Sequence, residues 1–292
     1  MAPGGEMPAE SLSLAEAAQL LGVHYMTVYR YVRTGLLPAQ RAGATWRVAP
    51  SDLAALKAAA PPDRPAPRAR RGQRSSLEGR LLAGDEAGAW AVMEAALASG
   101  TSPESLLVDL LAATLKSVGD RWESGELTVA DEHRASGVAV RLVGRLGARF
   151  NRRGLKRGTV VLAAPAGELH GLPVAIGANV LRWHGYEVVE LGADTPASAL
   201  VAAVAAGSSG RGPAMLAVAV ACTGVGSVEA ARKAVDALRD SGCRVPVMMG
   251  GAALADAQEA RRAGADIYSG RRADELLAAV DELARRPRSP SG

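Results

Sequence analysis

The stretch TVVLAAPAGELHGLPVAIGANVL, residues 159–181, decides the fold of the C-terminal half. A short apolar run ends at Pro165, a glycine-flanked turn follows, and an amphipathic segment leads out through Trp183. This pattern predicts a buried strand, a turn and a helix, one βα unit of a parallel sheet. His170 falls in the turn, at the carboxyl end of the strand, where open α/β sheets place their ligands. A structural histidine, a catalytic base and a metal ligand all fit that position. Pro173 reads as the first residue of the helix and Gly171 as the residue that lets the backbone turn sharply. Glu168 is close enough to orient the imidazole, which leaves the other ring nitrogen free for a metal.

The same alternation continues downstream. YEVVELG, LAVAVA, VPVMMGG and ADIYSG are separated by helical patterns, and ADELLAAVDELARR closes the series. Five short apolar strands with intervening helices predict a flavodoxin-like, doubly wound, five-stranded parallel sheet over residues 157–287. If the first strand pairs with both the second and the third, His170 stands at the topological switch point. No second histidine, cysteine or carboxylate cluster lies near it in sequence. A single protein ligand of this kind suits a metal already held by a macrocycle.

Composition limits the alternatives. With 292 residues there is room for several domains; aromatics make up only 3%, so the interior must be built from Ala, Val and Leu. No apolar run reaches the roughly 18 residues of a membrane span, and the N-terminus lacks a secretory pattern. Cys222 and Cys243 form no CxxC pair, which points to plain packing and a reduced, cytoplasmic protein. The net charge of +4 is unevenly placed: residues 61–76, PPDRPAPRARRGQRSS, hold five arginines against one aspartate. That composition reads as a basic linker.

Before the linker, residues 11–60 begin with a capping box of Ser13 and Glu16. Leu14, Ala17, Ala18 and Leu21 form one apolar face, and Gly22 ends the helix. Val28, Val32 and the stem of Tyr31 form the buried side of a second helix, with His24 as an N-cap or surface residue. QRAGATWRVAP predicts a hairpin with Trp46 at its base, and Ser51 reads as the cap of a third helix. LAEAAQLLGVHYMTVYRYVRTGLLPAQRAG resembles the excisionase and MerR-like winged helix-turn-helix domains. The resemblance implies double-stranded DNA as partner, with Tyr25, Thr27, Arg30, Arg33, Arg41 and Arg47 turned toward it.

Residues 77–154 read as four helices, a bundle. Gly84 breaks the first pair, Ser102 and Pro103 open the next helix, and the last starts near Thr128. Leu106, Leu107, Leu110, Leu111 and Leu115 point inward. No nucleophile–base pair or pair of acids stands out, so the chain is not expected to be an enzyme.

GELHGLP resembles the Asp-x-His-x-x-Gly motif of cobalamin-binding domains, with glutamate in first place. The resemblance implies cobalamin as cofactor and His170 as the lower ligand of its cobalt, with Glu168 and Gly171 beside it. Ala221-Cys222-Thr223 matches the family's Ser-x-Leu or Ser-x-Thr position, Gly250-Gly251 its paired glycines, and Tyr268 its last strand; Thr223, Gly250, Gly251 and Tyr268 are thereby implied in holding the cofactor's tail. Pro173 and Ala221 depart from the pattern, which has glycine and serine there. WESGELTVADEH places Glu132 and His133 after nine residues that follow Trp122 and resembles the helical cap of light-responsive, adenosylcobalamin-dependent repressors of the CarH type. That resemblance puts Trp122 against the upper ligand, Glu132 on an adenosyl ribose and His133 nearby. It further implies a homo-oligomer, dimer or tetramer, whose assembly and DNA binding follow loss or exchange of the upper ligand. Glu123 replaces a family histidine after the tryptophan. Corrinoid methyl carriers share the bundle, the histidine loop and the sheet but need neither the helix-turn-helix nor the arginines, and Pro173, Ala221 and Glu123 leave open a DNA-binding regulator that no longer binds cobalamin.

The second helix generates a first prediction: Arg30→Ala should weaken duplex binding by about 1–3 kcal/mol if Arg30 reads a base, as measured by fluorescence anisotropy.

Overall fold

The computed structural model describes residues 11–21, 28–29, 31–32, 37–43, 45–59, 67–150, 154–209 and 212–285. The chain divides into two compact units, Met1–Arg64 and Pro65–Gly292.

In the first unit, β1 (Leu12–Ser13) leads into α1 (Leu14–Leu21), and β2 (Gln40–Ala42) and β3 (Thr45–Val48) form an antiparallel hairpin. β1 pairs with the other edge of β3, a strand that alternation alone does not reveal. The capping box forms as expected: the Ser13 backbone N–H donates to the Glu16 carboxylate at 2.7 Å, and the Glu16 N–H to Ser13 Oγ at 3.2 Å. α2 (Pro50–Ala59) starts one residue before Ser51, because proline is well suited to a first helical position; Ser51 is therefore not its cap. Leu14, Ala17, Ala18, Val28, Leu37, Val48 and Leu53 make the core, with Tyr31, Val32 and Trp46 packed against it.

The second unit opens with α3 (Pro67–Ala83), so much of the expected linker is helical. Arginine and glutamine are good helix formers, and the helix extends backward from the buried Leu77 and Leu81 that anchor it. Residues 61–66 of that linker lie outside the described residues. α4 (Glu86–Ala98) is capped by Asp85, which accepts from the Gly88 N–H at 2.8 Å, and Gly84 at φ 72° makes the break between the two helices. Next come α5 (Pro103–Ser105), a π-helical stretch (Leu106–Ala112) and α6 (Ala113–Glu123), continuous along the chain, then α7 (Val129–Phe150). The Asp109 carbonyl in the π stretch accepts two hydrogen bonds from the Arg74 guanidinium, at 2.7 and 3.0 Å. Leu106, Leu107, Leu110 and Leu111 are buried in the bundle core, and Leu115 is partly buried against it.

The sheet consists of β4 (Thr159–Pro165), β5 (Glu187–Thr195), β6 (Met215–Ala221), β7 (Val247–Gly250) and β8 (Ile267–Tyr268). All pairings are parallel, in the order β5-β4-β6-β7-β8. β4 is buried throughout, as a central strand covered on both faces must be. One face is covered by α8 (Gly171–Trp183) and, after the chain's last strand, by α12 (Ala273–Arg285). The other carries α9 (Ala197–Ser209), α10 (Ser227–Asp240) and the short α11 (Ala257–Arg262). The strand order reverses between β4 and β6, the switch point the sequence anticipates.

Bundle and sheet share a core. Ile176 of α8 lies in the bundle's cluster, Val108 in the sheet's, and the Phe150 ring meets Trp183 edge-on at 5.9 Å. His184 Nε2 and the Glu104 carboxylate pair at 2.9 Å across the same junction. Phe150 is fully buried here. Phe150→Ala should therefore cost about 3–5 kcal/mol, read as a fall in denaturation midpoint of the full chain.

Candidate functional site

β4 ends at Pro165, and Gly167, at φ 80°, makes the left-handed turn after it. Gly171 does not have that role; it is the first residue of α8, and Pro173 is the third rather than the first. His170 precedes the helix but makes no side-chain cap bond. Its imidazole turns to Glu168 instead, Nδ1 to Oε1 at 2.5 Å, and the His170 backbone N–H reaches the same oxygen at 2.9 Å.

Glu168 is nearly inaccessible, with 2% of its side chain exposed. Its second oxygen accepts the backbone N–H groups of Thr223 at 2.8 Å and Gly224 at 2.6 Å, from the loop after β6. Burial works against ionisation, but the Gly224, His170 and Thr223 donors outweigh it and hold the carboxyl below the usual carboxylate range. An ionised carboxylate only accepts, so Nδ1 carries the proton facing it. Nε2 makes no hydrogen bond among the described residues, and the imidazole is 56% exposed. A Cβ at Gly224 would stand 3.4 Å from His170 Cε1 and 3.5 Å from Glu168 Oε2, which shows how closely that loop lies against the ring.

Sequence reading missed Asp194, at the end of β5. Its carboxylate accepts the Gly167 N–H at 2.7 Å, and its own N–H donates to the Glu168 carbonyl at 2.8 Å. Asp194 is the single non-glycine residue at positive φ among those described, at 48°. Aspartate and asparagine tolerate that region better than most residues, so the pattern Asp-Thr-Pro at a strand end was a usable signal.

Glu132, on α7, is brought toward this loop. Burial opposes its ionisation, but the Ser136 hydroxyl at 2.5 Å, the His133 ring at 2.6 Å and the charge of His170 keep its carboxyl below the usual range. His133 is three-quarters exposed. Trp122, 42% exposed, ends α6 just before the connection to α7, where Val129 is also exposed. Leu169 and Val225 stand out of the two loops beside His170. Among the described residues, Trp122 and Val129 on the bundle and Leu169 and Val225 in the loops beside His170 are large apolar side chains left exposed.

The remaining expected residues serve the strand ends. Thr223 contributes its backbone N–H. Gly250 and Gly251 knit β6, β7 and the chain after β8: Cys222 N–H donates to the Gly250 carbonyl at 2.7 Å, and Gly251 N–H to the Gly270 carbonyl at 2.9 Å. A Cβ on Gly251, at φ 122°, would collide with the Cys222 carbonyl. Tyr268 packs into the core on the α9–α11 face, away from the face that α8 covers. In the first unit, Arg41 lies over the Trp46 ring at 5.7 Å, and Arg47 donates to the Ser11 carbonyl at 3.0 Å. His24, Tyr25, Thr27, Arg30 and Arg33 lie outside the described residues, as does Gly22. No three His, Cys, Asp or Glu side chains among the described residues converge on a metal position. No described helix is long and apolar enough to cross a membrane.

The Asp194 clamp predicts a graded series. Asp194→Ala, which leaves a non-glycine residue at positive φ and removes the acceptor, should destabilise the chain by about 1–3 kcal/mol, whereas Asp194→Asn, which keeps both, should stay near wild type in urea titration. The Glu168 carboxyl has a lowered pKa, so its contribution is complete at neutral pH and is lost as pH falls through the folded-state value, below the ordinary 4.5. Glu168→Gln should flatten that acid limb of the stability profile.

Comparison with known proteins agrees with this geometry. Two family models, each described as a B12 binding domain, match residues 74–146 and 158–280, and a helix-turn-helix domain matches residues 11–60. Trimethylamine corrinoid protein 1 of Methanosarcina acetivorans is 32% identical over 122 residues, 40% of this chain and 56% of that protein. The trimethylamine corrinoid protein of Methanosarcina barkeri is 29% identical over 198 residues, 65% of this chain and 86% of that protein. The structure of the Methanosarcina barkeri monomethylamine corrinoid protein shares the fold at a TM-score of 0.60 and 20% identity, over 70% of this chain and 96% of that one. The chain thus joins a helix-turn-helix domain to a cobalamin-binding bundle and sheet.

Proposed function

We propose that this chain is a cobalamin-responsive regulator of transcription in which the state of the bound corrinoid sets assembly and DNA binding. One observation carries the reading: a helix-turn-helix domain shares the chain with B12-binding domains whose histidine loop is built to present Nε2. The residues fit the cofactor, since His170 is exposed, its Nδ1 is occupied by a buried carboxylate, and no competing ligand cluster surrounds it among the described residues. When bound, cobalamin supplies a cobalt centre with an exchangeable, light-sensitive upper ligand.

His170 would hold the cobalt through Nε2, with Glu168 keeping the Nδ1 proton in place and the ring oriented. Trp122 and Val129 would offer the apolar surface of the bundle, and ionised Glu132 would accept from hydroxyl groups on an upper ligand such as adenosyl. His133, paired to Glu132, lies beside them. Glu123, which stands where the CarH-type pattern has a histidine, would hold cobalt(III) less well than an imidazole. Signal transfer requires that one assembly bind the ligand better than another, because equal affinity shifts nothing. Light is the signal in this reading, a dimer or tetramer the responding assembly, and no catalytic step is assigned to the chain.

The corrinoid proteins of the methylamine systems favour a second reading, a methyl carrier for a methyltransferase. One experiment separates the two. Absorption spectra, size-exclusion profiles and duplex affinity are recorded with adenosyl-, methyl- and hydroxocobalamin, in the dark and after illumination. The regulator reading expects a coloured complex, a spectrum altered by His170→Ala, and elution and DNA affinity that change with light. A colourless protein overturns the cofactor assignment; a coloured protein that binds no duplex in any state supports the methyl carrier.

A further inference from the structure

Four of the five arginines expected in a linker, all but Arg64, instead fall in the first half of α3. Together with α6 they line an open groove of about 410 Å³, walled by Arg71, Arg74, Glu78, Leu82 and Arg121. The charges of this groove do not cancel. Glu78 is spent on Arg121, at 2.6 Å, and accepts from the Ser117 hydroxyl at 2.9 Å. Arg74 gives its guanidinium to the carbonyl of Asp109, a neutral acceptor, while the Asp109 carboxylate lies 3.5 Å from Arg272. Arg71 is exposed and has no carboxylate partner among the described residues. Like charges three positions apart on a helix repel one another, so the Arg71–Arg74 spacing gains most from a partner that is itself negative.

From this groove we infer a second DNA-contacting surface, in which α3 holds duplex phosphates outside the helix-turn-helix. The inference rests on the DNA-binding part of the function proposed above. Two observations favour phosphodiester over other anions. In the sequence Arg68 and Arg70 precede Arg71, so this segment is a run of basic residues rather than one point, which matches a polyanion. The Arg74 bond to Asp109 fixes this half of the helix to the bundle, so the surface is held in shape before it meets DNA. Such contacts add affinity and register without reading sequence.

The test uses the full-length chain and a labelled duplex of mixed sequence, with affinity measured between 50 and 200 mM salt. Each phosphate contact contributes a slope of about −0.9 in log affinity against log salt. Arg71→Gln should make the slope shallower by about 0.9, and Arg70→Gln/Arg71→Gln by up to about twice that, equally on any sequence. Arg71 anchors nothing in the fold among the described residues, and an unchanged melting curve verifies that the variant is intact. A wild-type slope retained in both variants overturns the inference and leaves the regulator reading standing. Failure of the wild type to bind any duplex removes both. Capture of polyglutamate by the wild type but not by Arg71→Gln, with the duplex slope unchanged, assigns the groove to an acidic protein and overturns DNA as its partner.

Discussion

The carboxylate of Glu168 is the constraint on which the site depends. It sits almost without solvent at the switch point of the sheet, where an uncompensated charge would be costly, and it is compensated by four donors. The backbone of the β6 loop supplies two donors, the His170 backbone a third and its imidazole a fourth. The donors come from two segments, the loop after β6 and the residue before α8, so the carboxylate ties the ends of β4 and β6 to the start of α8. The histidine is held as a by-product of satisfying a buried charge. Its free nitrogen faces outward because the other one is needed inside.

That arrangement explains why a single histidine is enough. A metal bound by protein side chains alone needs several converging ligands, and none converge here among the described residues. What the structure provides is one rigid donor, with Leu169 and Val225 exposed in the loops beside it and Trp122 and Val129 exposed on the bundle. The Glu132 carboxylate is stabilised in small part by His170, although the two belong to different layers. The shared core of Ile176, Val108, Phe150 and Trp183 makes the spacing between layers a property of packing rather than of a flexible tether.

The basic segment shows how composition can mislead. Proline, arginine and serine in residues 61–76 have too few apolar side chains to build a core, and a linker follows from that. Yet a helix needs only one anchored face. Leu77 and Leu81 provide it, and the arginines continue the helix because their own propensity is favourable and their charges stay in water. The same error, in smaller form, affects Pro173 and Ser51: each is a residue with a helix-start preference, and in each case the helix begins a residue or two earlier.

Periodicity and spacing alone were enough for the five parallel strands, the four-helix bundle, the capping box of Ser13 and Glu16, and the position of His170 beyond a strand end. These are local or repeating features, and hydrophobic period and cap chemistry act through neighbours in the chain. Tertiary structure alone decided the rest. Thr223 and Gly224 reach Glu168 from more than fifty residues away, Asp194 clamps the turn from β5, and Glu132 approaches His170 from another layer. Tyr268 goes to the opposite face because the side chains of a strand alternate and Ile267 already faces the side that α8 covers. A buried charge is satisfied by whatever donors the fold brings to it, and those donors are backbone groups that carry no mark in the sequence.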